Sequence, residues 1–225
     1  KDIVVTSVDP RLRIRWMAGT NTALKAGAGR HSQAPTERQL LPSSLGNPNL
    51  SEERAYQFSG GFEQQIVSGL RLDVTGFYHL LDDLVSGREN QFAFYSGPPP
   101  AGPFDTDPYA NDGVGRTYGV ETLINMDFEN TSGFISTTWS HSDRIKRPGD
   151  DRTLFPYDQP LVLNALVSQK LPKRWRLGSR IRYGSCNPYT PVVNRIYNHD
   201  RREFIPVYGE RDSDRLPPFF SLDIR

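Results

Sequence analysis

A side-chain period of two runs through this chain and leaves it little choice but strands. In "AYQFSGGFEQQI", Tyr56, Phe58, Gly60, Phe62, Gln64 and Ile66 fall on one side, and Gln57, Ser59, Glu63 and Gln65 on the other. Successive side chains of an extended strand point to opposite faces, so this alternation predicts a two-faced strand rather than a helix. The pattern recurs. "RLRIRWMA" sets Leu12, Ile14 and Trp16 against Arg11, Arg13 and Arg15, and "LRLDVTGFYHLL" sets Leu72, Val74, Gly76, Tyr78 and Leu80 against Arg71, Asp73, Thr75 and His79. "RTYGVETLINMDF" and "GFISTTWSHSD" follow the same rule. The cleanest case, "RWRLGSRIRYGS", sets Trp175, Leu177, Ile181 and Tyr183 against Arg174, Arg176, Arg180 and Arg182. An all-β architecture of about nine strands is expected.

The connections alternate as well. "GTNT", "VSG", "ENTSG" and "PKR" read as tight turns, whereas the stretches at approximately 31–53, 83–115, 144–160 and 185–216 are long and rich in Pro, Gly and Asp. Long connections without structure are uncommon in compact water-soluble domains. Short turns on one side and long loops on the other are the arrangement of outer-membrane barrels. The alternating runs of about 8–13 residues bracket the 9–11 that a tilted strand needs to cross a bilayer. Mean hydropathy is −0.58, and no apolar run approaches the ~18 residues of a membrane helix. That excludes a membrane helix within the chain and leaves a barrel open, because lipid-facing and lumen-facing residues cancel in any hydropathy window. Lys and Arg number 27 against 26 Asp and Glu, so the charge balance carries no footprint of a nucleic-acid binder.

The motifs resemble the TonB-dependent receptors, outer-membrane active transporters of Gram-negative bacteria. "GNPNLSEERAYQFSGGFEQQI" followed by "LRLDVTGFYHLLDDLVSG" is similar to that family's barrel signature. The signature is a Gly-Asn-Pro-x-Leu loop, a Glu, a descending strand, a short turn, and an ascending strand with Phe-Tyr. The resemblance extends through "GRTYGVETLI", "FPYDQPLVLNALVSQKLPKRWRLGSRIRYGS" and "NPYTPV". It implies an antiparallel up-and-down barrel of about 22 strands, of which residues 1–225 would supply less than half. On this resemblance such a portion would belong to a longer chain whose plug domain, TonB-contacting region and last strands are expected elsewhere.

The Arg-bearing side of "RWRLGSRIRYGS" is expected to face the lumen, where Arg174, Arg176, Arg180 and Arg182 would guide an anionic ligand or pair with carboxylates. The long connections carry Tyr95, Phe104, Tyr109, Tyr189, Tyr197, His199, Arg201 and Arg202, aromatic platforms and cations suited to gripping a bulky polar ligand. Trp16, Tyr56, Tyr78, Tyr118, Trp139, Trp175 and Tyr183 would lie in interfacial girdles or the lipid band. His31, His79, His141 and His199 have no ligand spacing, and the lone Cys186 builds neither a disulfide nor a Cys-based zinc site, so no metal centre or cofactor is expected. "SHSD" at His141 does not make a Ser/His/Asp triad, since neighbours on a strand point to opposite sides.

The resemblance implies an energised importer with no covalent chemistry of its own. Its expected partners are outer-membrane lipid and lipopolysaccharide, the TonB complex through a region outside this chain, and a small-molecule or metal-chelate substrate such as a ferric siderophore. Nucleic acid is not expected as a partner. Two other readings remain open: a receptor-like barrel in a surface complex for adhesion, motility or secretion, and a small self-contained outer-membrane barrel.

Overall fold

The computed structural model describes residues 7–41, 46–87 and 108–225. Nine antiparallel strands pair side by side in one sheet. In spatial order they are β1 (Arg11–Met17), β2 (Thr22–Gln33), β3 (Glu53–Val67), β4 (Leu70–Gly87), β5 (Tyr109–Asp127), β6 (Thr131–Ile145), β8 (Leu161–Lys170), β9 (Arg176–Gly184) and β14 (Phe219–Ile224). The short β7 (Thr153–Leu154) adds to the outer end of β6. Each spanning strand pairs with the next spanning strand along the chain, as an up-and-down meander requires. Among the described residues β1 and β14 do not pair with each other, so the sheet is open and the self-contained small barrel is excluded for this portion.

The tight turns fall together on one rim and the long connections on the other. The β3–β4 turn has two residues, Ser68 and Gly69, and Gly69 sits at φ 85°. A Cβ there would come within 2.5 Å of the Asp127 carbonyl oxygen, so both the backbone conformation and the space demand glycine.

Register assigns every strand residue to a face. A row of partners runs Trp16, Leu24, Phe62, Val74, Thr122, Thr137, Leu163, Tyr183, Phe220 across all nine strands. Its neighbouring row, on the opposite face, runs Arg15, Lys25, Gly61, Thr75, Glu121, Thr138, Val162, Gly184, Phe219. Both rows begin beside the tight turn that follows β1 and end beside the long connection before β14. A row perpendicular to the strands that climbs from one rim to the other is what strand tilt and shear produce in a barrel wall.

The face holding Trp16 and Phe220 bears no charged side chain between Arg30, Arg54 and Arg116 at one limit and Gln64 and Gln169 at the other. On β4 this band runs from Leu72 to Leu80, about 27 Å of strand and about 20 Å of height at a tilt of about 40°. The hydrocarbon-facing band of outer-membrane barrels is about 25 Å tall. The band is also bare: Trp16 is 62% exposed, Ile14 57%, Trp139 51% and Phe220 63%. Apart from glycines and Pro188, Ala23 is the single buried apolar residue among those described. A water-soluble domain hides its large apolar residues in a core; this sheet turns them outward as one continuous surface.

Several expectations need correction. The run expected to be a loop at 83–115 is strand at both of its described ends, because β4 continues to Gly87 and β5 begins at Tyr109. A bulge between Leu81 and Leu84, with Asp83 at φ 53°, lets the ladder shift register and carry on. β3 to β6 therefore reach 15, 18, 19 and 15 residues, beyond the expected length. The stretch 185–216 holds β10 (Pro188–Tyr189), β11 (Val192–Asn198), β12 (Glu203–Tyr208) and β13 (Asp214–Arg215). Arg174 and Trp175 lie in and just after the 3₁₀ turn Pro172–Arg174 on the tight-turn rim, with Arg174 at φ 66°, so the Arg row of β9 begins at Arg176.

Candidate functional site

The long-connection rim is built by carboxylates and amides that join distant segments. Asn47, in the Gly-Asn-Pro-x-Leu loop, is buried and donates from Nδ2 to the Tyr109 carbonyl at 2.9 Å, while its Oδ1 accepts the Asn49 amide at 2.9 Å. Asn111 of β5 closes the same corner, donating to the Asp83 carbonyl at 2.8 Å and accepting the Ser51 amide at 2.7 Å. Glu53 accepts the Val85 amide at 2.7 Å. Glu52 pairs with Arg30, and Arg54 with Asp83 at 3.0 Å. These bonds fasten the loop entering β3 across β4 to β5, which is a physical reason for that loop's composition.

Two buried carboxylates organise the other side of the rim. Asp143, 3% exposed, accepts from Arg116 Nε at 3.0 Å, from Arg152, and meets His141 Nε2 at 3.1 Å. Asp158, 2% exposed, accepts the Ser142 amide at 2.6 Å and Arg215 Nη2 at 2.5 Å. Arg215 also donates to the Asp158 carbonyl at 2.8 Å, binding connection 146–160 to connection 185–218. A buried charge needs such pairing, and removing one partner of it is costly. His141 and Asp143 share a face while the Ser142 hydroxyl bonds Thr117 at 2.9 Å on the other, so "SHSD" assembles no triad.

From this base the β11–β12 hairpin projects. Ile196 pairs with Ile205 on one face, and Arg195 with Pro206 and Tyr197 with Phe204 on the other. On that second face the Tyr197 ring lies 4.9 Å from His199 and 5.1 Å from Phe204, both edge-on, and the Arg195 guanidinium lies 4.8 Å from the Phe204 ring. Exposed aromatic faces flanked by cations favour flat, electron-rich or anionic ligands.

The expected ligand-contacting residues separate into groups. Tyr197 and His199 touch, and Arg201 and Arg202 occupy the hairpin tip, where Arg201 approaches Glu203 at 3.7 Å. Tyr189 sits at the hairpin's base on the β10–β13 ladder. Its hydroxyl donates to Asp214 at 3.0 Å, and that carboxylate holds the phenol above its ordinary titration range. Tyr109 opens β5, and Tyr95 and Phe104 lie outside the described residues. Arg195 and Phe204 were missed; their signal was the alternation in "VVNRIYN" and "EFIPVY".

Arg176, Arg180 and Arg182 share the polar face of β9, with Lys170 opposite Arg176 and Asp223 opposite Arg180. Among the described residues no ion pair forms between them and Asp223; Arg182 instead lies over Phe219 at 5.7 Å, with its Nε buried and without a hydrogen-bond partner. The acids of the polar face serve the other flank, where Glu63 takes Arg15 at 2.8 Å and Asp73 takes Lys25 at 2.6 Å.

Known proteins share this architecture. The FrpB iron transporter from Neisseria meningitidis superposes with a TM-score of 0.62 at 13% identity, over 96% of this chain and 31% of that one. The pyoverdine outer-membrane receptor FpvA from Pseudomonas aeruginosa PAO1 gives 0.65 at 13% identity, over 96% and 28%. The copper transporter OprC gives 0.62 at 17% identity, over 96% and 30%. This chain thus spans about three tenths of the length of each. The sequence itself matches the family described as TonB dependent receptor-like, beta-barrel, over residues 2–225. With the open two-faced sheet and its asymmetric rims, that match makes the chain a member of the TonB-dependent receptor β-barrel family.

Proposed function

We propose that this chain forms an arc of the barrel of a Gram-negative outer-membrane receptor that captures a scarce, large nutrient on its long-connection rim and imports it with TonB-derived energy. The observation that carries this reading is the wall itself: a bare, charge-free apolar band on one face, a charged face behind it, and aromatic and cationic side chains on the rim. Ferric siderophores are the first class to test, since FrpB is an iron transporter and FpvA was solved with pyoverdine bound. Arg176, Arg180 and Arg182 would face the lumen and offer charge to an anionic chelate or to the plug. No covalent step is required of any residue.

The test is growth under iron limitation of a Gram-negative strain lacking its own siderophore receptors and carrying the full-length protein, fed a panel of ferric siderophores. Growth on at least one, abolished by loss of TonB, is the expected result. Growth on none, with the protein correctly placed in the outer membrane, would remove the siderophore reading.

One observation favours a second use. The hairpin exposes Val192, Val193, Ile196, Phe204 and Tyr208 beyond the membrane band, and a two-stranded ribbon is marginal alone in water. A protein docked on the rim, as in a surface complex, would cover it. Ile196→Ser with Ile205→Ser, on the hairpin face opposite Tyr197 and Phe204, would then weaken capture of that partner without changing siderophore-fed growth.

A further inference from the structure

Behind the raised wall of β4 and β5, on the polar face, lies a cavity of about 440 Å³ lined by Leu84, Val85, Ser86, Arg144, Phe155 and Pro156 among others. That is within the range of about 300–1,000 Å³ typical of small-ligand sites. Arg144 is the β6 partner of Gly115, and a Cβ at Gly115 would come within 3.1 Å of the Arg144 Cγ, so the bare backbone makes room for the side chain. The Arg144 guanidinium stacks at 3.8 Å on the Phe155 ring, which fixes its plane. Phe155 is itself held, its amide donating to the Ser142 carbonyl at 3.0 Å.

What Arg144 lacks is a hydrogen-bonded anion. Its Nε is buried with no hydrogen-bond partner among the described residues. None of the carboxylates around it bonds to it: Asp143 is taken by Arg116 and Arg152 on the opposite face, Asp112 accepts the Ser86 hydroxyl, and Glu53, whose charge reaches Arg144, accepts the Val85 amide. Lys146 adds a second cationic side chain to the lining. A planar guanidinium braced by a ring and short of acceptors is suited to a carboxylate, which it can meet with two parallel hydrogen bonds. The apolar remainder of the lining suits a flat hydrocarbon portion on the same molecule.

We propose that Arg144 and Phe155 form a subsite for an aryl carboxylate, or for the aryl-carboxylate portion of a larger ligand, beside the capture surface. The subsite deepens the receptor reading and rests on it for its biological use, but its binding chemistry can be measured alone. The probe is benzoate, with benzyl alcohol as its uncharged counterpart, titrated against the purified full-length receptor in detergent and followed by saturation-transfer NMR. Benzoate is expected to bind, to weaken about tenfold or more in Arg144→Gln, and to weaken less in Arg144→Lys, which keeps charge and loses the fork. Benzyl alcohol binding should be weak and indifferent to the substitution. Benzoate binding that is absent, or equal in the native protein and Arg144→Gln, would overturn the proposal. Should Arg144→Gln lose its heat-modifiable folded band, Phe155→Leu carries the test, with a several-fold weakening expected and no change overturning it. Benzoate binding that depends on Arg144 in a receptor that feeds no siderophore would keep the subsite and remove the uptake reading. Siderophore-fed growth with benzoate indifferent to Arg144 would do the reverse.

Discussion

The two faces of the sheet share one backbone and obey opposite rules. On one, Trp16, Phe58, Val120 and Phe220 stand exposed with no charge between the limiting arginines. On the other, Arg15, Lys25, Glu63 and Asp73 are linked at 2.6–3.8 Å. Neither face resembles a soluble core, where apolar groups meet one another and charges go to water. The difference teaches which solvent each face was built for: hydrocarbon, where backbone groups must pair within the sheet and side chains must be apolar, and water, where ion networks are tolerated.

The largest effect expected from breaking this contrast is a charge on the apolar face. Val120→Arg should destabilise the folded barrel in lipid by about 2–4 kcal/mol, whereas Ser136→Arg on the polar face should change it by less than about 0.5 kcal/mol. Urea unfolding of the full-length protein in liposomes measures both, and equal costs would erase the distinction between the faces. A smaller effect probes the polar network. Lys25→Met leaves Glu63 and Asp73 facing each other with one cation fewer and should cost about 1 kcal/mol, a loss that shrinks in high salt. The same loss at every salt concentration would assign Lys25 a packing role instead.

The smallest effect lies outside the wall. Asp9, ahead of β1, is pulled upward by desolvation, but bonds from the Ser32 hydroxyl and amide and the charges of Arg30 and Arg11 outweigh it and hold its carboxyl below the ordinary range. A depressed folded value means this tether is complete above the unfolded carboxylate range and is lost as pH falls through the lower folded value. The protection of the Ser32 amide, its exchange rate relative to the unfolded chain at the same pH, should therefore fall at acid pH in the native protein, and Asp9→Asn should remove that acid dependence. A native protein without it would show that the tether does not hold Ser32.

How much of the molecule is legible in its sequence depends on how local the cause is. Side-chain direction in a strand is set by the residue's own position, so "RIRYGS" discloses its two faces and "VSG" discloses a turn from their letters alone. The extension of β4 and β5 is not legible in this way, because the Asp83 bulge that carries the ladder past Leu81 sits in "LLDDL", where two adjacent acids read as a loop entrance. Arg174 looks like one more member of the Arg row and lies in the turn because Pro172 cannot donate to the ladder. The rim networks are out of reach for another reason. Asp158 and Arg215 are 57 residues apart, and nothing at either position announces the other. Arg144 likewise reads as a strand-end charge until Phe155 is seen stacked upon it.

The most direct test of the two-faced wall uses neighbours on one strand. In a Cys186→Ser background, Ser136→Cys and Ile135→Cys place thiols at consecutive positions in the middle of β6, on opposite faces by register. In isolated outer membranes a membrane-impermeant maleimide should label the cysteine at position 136, while a dye at position 135 should be quenched by brominated lipid. Equal maleimide labelling at both positions, with no lipid quenching at 135, would contradict the account.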